Sequence, residues 1–403
     1  MAGYPLLLDL TGRRVLVVGA GVVAARRIPG LVGAGADVTV VAPEHLPVIA
    51  AAAVTLVTRP YRHTDVDGAW LVLAATDDES VNAAVAADAE AAGIWCVRAD
   101  AGDASAAWTP AVATVELPGG RATVAVGTDP ADPRRAAALR DAIRLLLDTG
   151  ELPVRQHRSG GTGHVALVGG GPGDAGLITV RGRQLLAAAD VVLVDKLAPR
   201  EWLAVLDPET LVLDAGKAPH AHNMTQDEIN AALVEHAAAG RRVVRLKGGD
   251  PYVFGRGSEE LAACLAAGLD VEVVPGVTSA IAVPAAAGIP VTHRGVTQEF
   301  TVVSAHLDPQ AGGTTVDYDA LARSTGTLVF LMGVGRMPRI ASELMRRGRP
   351  PTTPVAVIED GTTASERVTV GTLADIAERA AGAAPPAVIV VGDVVGLRPV
   401  LHP

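Results

Sequence analysis

Residues 13 to 27 read RRVLVVGAGVVAARR, and residues 163 to 179 read GHVALVGGGPGDAGLIT. In each stretch a valine-rich run ends in a glycine-rich loop. A glycine loop after a buried strand brings backbone N–H groups against the polar end of a ligand. Because the chain contains two such loops far apart, the sequence predicts two ligand sites in two fused catalytic domains.

Length and composition agree with this interpretation. The chain has 403 residues, of which 49% are hydrophobic and 3% aromatic, and this length suits two or three domains. Valine runs predict buried parallel strands, and alanine-rich stretches predict helices packed on them. The net charge of −10 argues against a nucleic-acid partner, but it allows a local basic pocket for an acidic small molecule.

The sequence predicts a cytoplasmic protein without a membrane partner. Its two cysteines, Cys96 and Cys264, form no CxxC pair and no Cys/His cluster, so neither a metal site nor a disulfide framework is expected. The opening MAGYPLLLDL has no basic region typical of a signal peptide. The longest uncharged apolar stretch, residues 281–291, is too short to span a bilayer.

Strand and helix patterns alternate through the first 110 residues, which predicts a doubly wound parallel sheet. The predicted strands are Val15–Val18, Asp37–Ala42, Val54–Val57, Ala69–Ala75 and Ile94–Arg98, and the predicted helices are Val22–Gly33 and Asp77–Gly93. A hairpin at 112–127 and a helix at Arg134–Asp148 follow.

A second α/β pattern follows an aperiodic, Ser/Gly-rich stretch. We expect an N-terminal domain at 1–150, a linker at 151–163 and a C-terminal domain at 164–403, whose lobes lie at about 164–283 and 284–403. The predicted strands are Val165–Val168, Val191–Val194, Val243–Leu246, Val271–Val274, 300–304, 327–332, 355–358 and 387–391, and the predicted helices are Thr179–Ala188, Gln226–Ala239 and Glu259–Ala267.

The first loop, residues 19–24, fits the dinucleotide fingerprint G-x-G-x-x-G/A, with a strand before it and a helix after it. The alternative is a glycine turn in an α/β core. The second strand does not end in the acidic residue expected on the ribose, so the choice between NAD and NADP stays open. The predicted cofactor-binding residues are Gly19, Gly21, Val22, Val23, Pro43 and, as a substitute acid, Glu44.

Longer motifs resemble a known family. YPLLLDLTGRRVLVVGAG (4–21), LVLAATDDESVN (71–82) and IWCVRAD (94–100) resemble precorrin-2 dehydrogenase. The second half resembles uroporphyrinogen-III C-methyltransferase, through VGGGPGDAGLIT (168–179), DKL (195–197), VVRLKGGDPYVFGRG (243–257), VVPGVTSA (273–280), GIPVTHR (288–294) and LVFLMG (328–333). Together they resemble the fused siroheme synthases.

The resemblance implies an N-terminal Rossmann-like sheet fused to a two-lobed tetrapyrrole methyltransferase domain. It also implies a reaction sequence. S-adenosylmethionine methylates uroporphyrinogen III to precorrin-2, NAD-dependent oxidation gives sirohydrochlorin, and insertion of Fe2+ gives siroheme. The partners it implies are tetrapyrrole substrates and a second copy of the chain in a homodimer.

Residue roles in the second half follow from the same resemblance. Asp195 is the candidate proton acceptor and Lys217 the candidate donor, because a methylated pyrrole carbon must lose a proton. Asp250 also suits a cationic donor by its charge, although a turn cap is the alternative. The implied S-adenosylmethionine contacts are Pro172, Gly248, Gly249, Asp250, Val253, Thr278, Ser279, Met332 and Gly361.

The substrate carries many carboxylates, so a basic pocket is expected inside this acidic chain. Five basic residues lie within the matching motifs and are candidates for this pocket, although each could also be scattered surface charge. They are Arg245, Lys247, Arg256, His293 and Arg294.

In the first half, the resemblance gives Asp100 the role of catalytic aspartate in oxidation and chelation; the alternative is a capping aspartate at a strand end. The chain departs from the family pattern at Val97, at residues 127–130 and in its short helical segment. Iron insertion is therefore left open. The alternatives are a chain that stops at sirohydrochlorin and a first domain that serves as a nucleotide-binding or dimerising scaffold.

Overall fold

The computed structural model describes residues 4–101, 105–117, 120–128, 132–155, 163–216 and 224–402. The chain divides into two compact units. One contains residues 1–115 and 121–144, and the other contains residues 116–120 and 145–403. Within the described ranges, no helix is both long and apolar enough to cross a membrane.

The first unit is built on a five-stranded parallel sheet in the order β3-β2-β1-β4-β5. This confirms the doubly wound sheet, with strand bounds close to those predicted. The strands are β1 Arg14–Val18, β2 Asp37–Ala42, β3 Thr55–Thr58, β4 Leu71–Ala74 and β5 Trp95–Arg98, and the helices are α1 Val22–Gly33, α2 Pro47–Ala50 and α3 Glu79–Ala91.

Alternation along β1 explains why this sheet has helices on both faces. Val15 and Val17 pack in one cluster with Ile28 of α1, whereas Leu16 packs in a second cluster with Val85 of α3. Successive side chains of a strand point to opposite faces. The four residues of β1 after Arg14 are all apolar and buried, so the strand requires a covering layer on each side.

A hairpin and a long helix follow the first sheet. β6 (Ala111–Leu117) and β7 (Gly120–Val126) form a two-stranded sheet, and α4 covers Pro133–Asp148. The predicted hairpin and helix are therefore confirmed, although residues 118 and 119 at the predicted turn lie outside the described residues.

The second unit contains another parallel sheet, in the order β10-β9-β11-β8-β12. The edge strand β10 is missing from the sequence prediction because its residues are partly exposed. The strands are β8 His164–Gly169, β9 Val191–Val194, β10 Leu211–Asp214, β11 Arg242–Lys247 and β12 Asp270–Val274, and the helices are α5 Val180–Ala187, α6 Gln226–Ala238 and α7 Gly257–Ala266.

The third sheet, also in the second unit, runs in the order β13-β14-β17-β15-β16. Only β13 and β14 are parallel, and the other three pairings are antiparallel. The strands are β13 Phe300–Ser304, β14 Thr327–Leu331, β15 Pro354–Glu359, β16 Arg367–Thr372 and β17 Ala387–Val391, and the helices are α8 Ser279–Ala286, α9 Tyr318–Arg323, α10 Met337–Arg346, α11 Ile376–Arg379 and α12 Arg398–Leu401.

The expectation that valine runs mark parallel strands is wrong for this third sheet. Its central strands are buried on both faces, between one cluster that includes Ile340 and a second that includes Val283. Burial on both faces produces a continuous apolar run whichever way the neighbouring strand points. The run therefore reports burial and carries no information on strand direction.

Arg349, between α10 and β15, binds the end of α9 and the residues that follow it. Its side chain is buried, and its guanidinium donates to the backbone oxygens of Leu321, Ser324 and Gly326 at 3.0, 3.1 and 3.2 Å. Burial lowers the pKa of this guanidinium. One carbonyl in the last turn of α9 and two just after the helix thus obtain hydrogen bonds from one side chain.

We expect Arg349→Met to lower the free energy of unfolding by about 2–4 kcal/mol, because each buried polar group left without a partner costs about 1–3 kcal/mol. Chemical denaturation of the full chain measures this change. Arg339→Met is the matched control, since Arg339 is exposed and pairs with Asp308 at the surface, where an ion pair contributes little. An equal loss in both variants would contradict this role of Arg349.

Candidate cofactor and catalytic sites

The glycine loop of the first unit is pressed against the end of β4. Gly19 has a φ of +102°, and a Cβ built on it would lie 2.3 Å from the backbone oxygen of Ala75. Its N–H donates to the oxygen of Val41 at 3.0 Å. Only glycine fits this position, because both its backbone angle and its contact distance exclude a side chain.

The next part of the loop is open. A Cβ on Gly21 would meet nothing within 4 Å. Gly21 is the N-cap of α1 and has no side chain with which to cap the helix. Val22 and Val23 in the first turn are exposed, while Ala24 is fully buried against the sheet. Uncapped N–H groups beside open space fit the pyrophosphate of a dinucleotide.

A cavity of about 310 Å³ lies beside this loop. Pro43 is among its lining residues, together with Val18, Gly19, Val41, Ala42, Pro60, Tyr61, Thr76, Asp77, Asp78 and Val81. The N–H of Leu46 donates to the oxygen of Ala20 at 3.2 Å, so the segment that carries Glu44 runs along the glycine loop. Glu44 itself is exposed.

Asn82 is a residue of this site that the sequence analysis did not single out. Its side chain is fully buried. Its Oδ1 accepts from the backbone N–H of Thr76 at 3.0 Å and from its hydroxyl at 2.8 Å, while its Nδ2 donates to the Thr76 oxygen at 2.9 Å. Asn82 thereby fixes the turn against which Gly19 packs. The available signal was the polar residue at a buried helix position in LVLAATDDESVN.

Asp100 lies two residues after β5, next to Arg98. The guanidinium of Arg98 donates to both carboxylate oxygens, from Nε at 3.2 Å and from Nη2 at 2.8 Å. This pairing, together with a hydrogen bond from Asn82, lowers the pKa of Asp100 to about 2. Asp100 is therefore ionised throughout the neutral range. The stability that its low pKa contributes is fully present above the ordinary aspartate pKa of 3.8 and is lost as the pH falls from there through about 2.

In the second unit, loops from three neighbouring parallel strands meet at their carboxyl ends. Gly171, after β8, and Gly249, after β11, exchange backbone hydrogen bonds of 3.2 and 2.6 Å. A Cβ on Gly169 would lie 2.5 Å from Gly276, after β12, and a Cβ on Gly248 would lie 2.8 Å from the oxygen of Leu197. The predicted contacts Gly248 and Gly249 therefore lie at one closely packed edge.

Asp250 joins two of these loops. Its Oδ1 accepts from the backbone N–H of Tyr252 at 2.8 Å, and its Oδ2 accepts from that of Gly276 at 3.0 Å. Both oxygens are thus used by the backbone. Asp250 is therefore a turn cap, and because each carboxylate oxygen can accept more than one hydrogen bond, it also keeps acceptor sites for a cofactor contact.

The second lobe contributes the opposite side of this site. The N–H of Asp174, two residues after Pro172, donates to the hydroxyl of Thr362 at 3.2 Å. A Cβ on Gly361 would lie 2.3 Å from the side chain of Val283 in α8. Thr278 caps the N-terminus of α8, and Ser279 is its first residue. Pro172, Thr278, Ser279 and Gly361 therefore come together although they are far apart in sequence.

Two further predicted contacts are linked to the same apolar cluster. Val253 packs against a cluster that contains Val283, Leu331 and Ile358. Met332 directly follows Leu331, at the carboxyl end of β14, and is 47% exposed. Met332 is thus an exposed residue on a buried strand end, rather than an ordinary core methionine.

Backbone strain is concentrated at this edge. Among the described residues, five that are not glycine have positive φ values between 48° and 69°. All five lie in loops already placed here, namely Phe254, Arg256, Met332, Asp360 and Thr362. Such conformations cost free energy and persist where the surroundings impose them, commonly at ligand sites.

Asp195 lies at the carboxyl end of β9. Its backbone N–H donates to the oxygen of Leu246 at 2.8 Å, and its Oδ1 accepts from Nη2 of Arg245 at 3.0 Å. Its side chain is 36% exposed. A half-exposed carboxylate that is held by one oxygen suits a proton acceptor. Lys217, the candidate donor, lies outside the described residues.

The structure contradicts the prediction that Arg245 and Lys247 bind substrate carboxylates. Their side chains are 2% and 5% exposed and are paired with Glu260, which is fully buried. Buried cations require a buried counter-charge, so β11 directs them into the sheet–helix interface. Glu260 was missed. The sequence feature that could have identified it is a carboxylate on the apolar face of α7, one turn before the buried Cys264.

The other three candidate substrate residues are exposed. Arg256 pairs with Glu259 through two hydrogen bonds of 2.9 and 2.7 Å. His293 and Arg294 lie in a loop closed by backbone hydrogen bonds between His293 and Thr297. Over the part of the chain that the structure describes, no group of three His, Cys, Asp or Glu side chains could hold a metal ion.

Two family models match this chain. One is described as Tetrapyrrole (Corrin/Porphyrin) Methylases and matches residues 164–377, and the other is described as NAD(P)-binding and matches residues 6–111. The fold and the two glycine-lined edges agree with both. The chain is therefore a tetrapyrrole methylase fused to an NAD(P)-binding domain.

Similar proteins define the family more closely. The "Siroheme synthase" of Tolumonas auensis is 38% identical over 98% of this chain and 95% of its own length. The "S-adenosyl-L-methionine-dependent uroporphyrinogen III methyltransferase" of Methanosarcina barkeri is 51% identical over 60% of this chain and 96% of its own length. The chain belongs to the siroheme synthase family, which confirms the resemblance.

A solved structure covers the second half. Uroporphyrin-III C-methyl transferase from Thermus thermophilus, complexed with S-adenyl homocysteine, aligns with a TM-score of 0.51 and 44% identity. It covers 58% of this chain and 100% of that chain. The two-lobed methyltransferase fold is therefore confirmed.

We expect Gly19→Ala to weaken NAD+ binding at least about tenfold, because the new methyl group would displace the loop from the pyrophosphate position. Isothermal titration calorimetry with NAD+ and with S-adenosylhomocysteine measures both sites, and the second affinity should not change. Gly33→Ala is the control, since a Cβ there meets nothing within 4 Å. Equal NAD+ affinity in the two variants would contradict the assignment.

Proposed function

We propose that this chain catalyses two successive steps of siroheme biosynthesis, the methylation of uroporphyrinogen III to precorrin-2 and the NAD-dependent oxidation of precorrin-2 to sirohydrochlorin. The observation that supports this most directly is the match to siroheme synthases over nearly the whole length of both chains. Two separate glycine-lined edges, one in each unit, are consistent with two cofactors.

We assign the two proposed activities to the two predicted domains. Residues 1–150 carry the dehydrogenase, residues 151–163 are the linker, and residues 164–403 carry the methyltransferase. The core contacts of α8 lie in the third sheet, so we place the start of the second lobe at α8, slightly before residue 284.

When bound, S-adenosylmethionine supplies a methyl group whose bond to sulfur breaks with its electron pair left on sulfur. The chain's own task is to align the pyrrole carbon and to remove the proton that this carbon loses when it becomes methylated. Asp195 is the proposed acceptor, through the oxygen that Arg245 does not hold. Lys217 is the donor by resemblance. Pro172, Gly248, Gly249, Asp250, Val253, Thr278, Ser279, Met332 and Gly361 are the proposed cofactor contacts.

In the first unit, NAD+ when bound would supply the acceptor for the hydride that precorrin-2 loses, and one proton must also leave the macrocycle. Gly19, Gly21 and the uncapped start of α1 receive the pyrophosphate in this proposal. Asp100 is the proposed proton acceptor. Because Arg98 donates to both of its oxygens and lowers its pKa to about 2, Asp100 becomes a stronger base when the substrate replaces one of these hydrogen bonds.

Insertion of ferrous iron is the proposed third step. It would release two protons from sirohydrochlorin. The match to siroheme synthases supports this step, while the departures at Val97 and residues 127–130 do not. The candidate carboxylate contacts for the tetrapyrrole are Arg256, His293 and Arg294. The cytoplasmic homodimer implied by the resemblance stays a prediction.

We expect Asp195→Asn to lower kcat for methyl transfer about 100-fold or more, because general base catalysis contributes about 10²–10⁴-fold. Transfer of radiolabelled methyl to uroporphyrinogen III measures this rate. The affinity for S-adenosylhomocysteine and the oxidation of added precorrin-2 should stay at wild-type values. Asp270→Asn, at the amino end of β12, is the control. Full activity of Asp195→Asn would remove Asp195 from the mechanism.

Asp100→Asn should abolish the absorbance change from precorrin-2 to sirohydrochlorin with NAD+, while methyl transfer continues. The amide keeps the size of the side chain but cannot accept a proton. Asp37→Asn, an exposed aspartate at the start of β2, is the matched control. If methyl transfer fell to the same extent in Asp100→Asn, the two activities would not be separate.

A further inference from the structure

Four charged side chains alternate in sign beneath the methyltransferase site. Nη2 of Arg245 donates to Oδ1 of Asp195 at 3.0 Å, and Nε of Arg245 donates to Oε1 of Glu260 at 2.9 Å. Nζ of Lys247 donates to both Glu260 oxygens at 3.0 Å. The row connects the end of β9 to α7 through the side chains of β11.

Only one end of this row reaches solvent. The Arg245, Glu260 and Lys247 side chains are between 0% and 5% exposed, whereas Asp195 is 36% exposed. Burial and the neighbouring Arg245 lower the pKa of Lys247. Placing three charges where water cannot solvate them is costly, so a function beyond packing would explain why they are present.

The guanidinium of Arg245 is divided among three acceptors. Nε binds Glu260, Nη1 reaches the backbone oxygen of Leu193 at 3.4 Å, and Nη2 binds Asp195. A guanidinium beside a single carboxylate prefers to bind both of its oxygens. Because Glu260 holds Nε, one nitrogen is directed at Asp195, and within the described residues its Oδ2 has no hydrogen-bond partner.

We infer that Glu260 is a positioning residue for methyl transfer. By accepting from Nε of Arg245, it restricts Arg245 to one oxygen of Asp195 and leaves the other oxygen for the proton of the pyrrole carbon. Lys247 balances the charge of Glu260, so that the positive charge of Arg245 remains available to balance Asp195. This inference rests on the role of Asp195 in the proposed function.

Two double variants isolate the hydrogen bond from the charge. Glu260→Leu/Lys247→Met and Glu260→Gln/Lys247→Met each remove one negative and one positive charge, so both leave Arg245 balanced by Asp195. Replacing a buried ion pair by apolar side chains of similar size is often tolerated. The two variants differ in whether Nε of Arg245 has an acceptor, because the glutamine retains Oε1 and the leucine does not.

We expect Glu260→Leu/Lys247→Met to lower kcat for methylation of uroporphyrinogen III about 10- to 100-fold, as misplacement of a reacting group does. The KM for S-adenosylmethionine and the Kd for S-adenosylhomocysteine should stay within about twofold of wild type, since the glycine loops are intact. Glu260→Gln/Lys247→Met should recover most of the lost kcat. Circular dichroism and thermal unfolding report the folded fraction to which each rate is normalised.

Two results would overturn the inference. One is wild-type kcat in Glu260→Leu/Lys247→Met, and the other is an equal loss in both double variants. If the leucine variant does not fold, Arg245→Lys provides the second test, because a lysine ammonium cannot hold both carboxylates in a planar fork. Its kcat should fall with the Kd for S-adenosylhomocysteine unchanged, and wild-type kcat there would overturn the inference as well.

The role of Asp195 is tested separately from the role of Glu260. Wild-type kcat in Asp195→Asn would remove the proton acceptor and with it the proposed function of this carboxylate. A loss in Asp195→Asn together with wild-type kcat in the leucine variant would keep Asp195 and reject only the positioning by Glu260.

Discussion

Direct backbone-to-backbone contact at glycines determines where both candidate sites form. Gly19 touches the end of β4 in the first unit, and Gly169, Gly249 and Gly276 touch one another in the second. A Cβ at Gly19, Gly169 or Gly276 would push the strand-end loops apart. Because the loops follow neighbouring parallel strands, this contact places their N–H groups and polar side chains at one edge, where open α/β sheets bind ligands.

Charge is arranged around this backbone framework in two different ways. In the first unit, Asp100 pairs with Arg98, whose side chain is 13% exposed, and the pKa of Asp100 is about 2, so its negative charge is permanent near neutral pH. In the second unit, Asp195 is connected to a buried row of alternating charges. Among the described residues, the two most deeply buried cations are Arg245 and Lys247, and both are paired internally with Glu260 rather than directed at the acidic substrate.

The sequence predicted the glycine edges well, since a valine run followed by glycines reports a buried strand and a loop of defined geometry. The strand ends at Asp195 and Asp250 were also predictable. Burial of Arg245 and Lys247 was not, because their alternation along β11 is also compatible with a ligand-facing edge and the deciding partner, Glu260, lies on a separate helix. The antiparallel strands of the third sheet were missed for the same reason, since strand direction depends on contacts distant in sequence. Asn82 was overlooked although its partner Thr76 is only six residues away.

The central claim is that one chain holds two independent cofactor pockets that serve a common macrocycle. Isothermal titration calorimetry of the full chain with S-adenosylhomocysteine, with NAD+, and with each after saturation by the other tests this most directly. We expect one site per chain for each ligand, and neither ligand should change the affinity of the other. Absence of binding by either ligand, or competition between the two for one site, would contradict it.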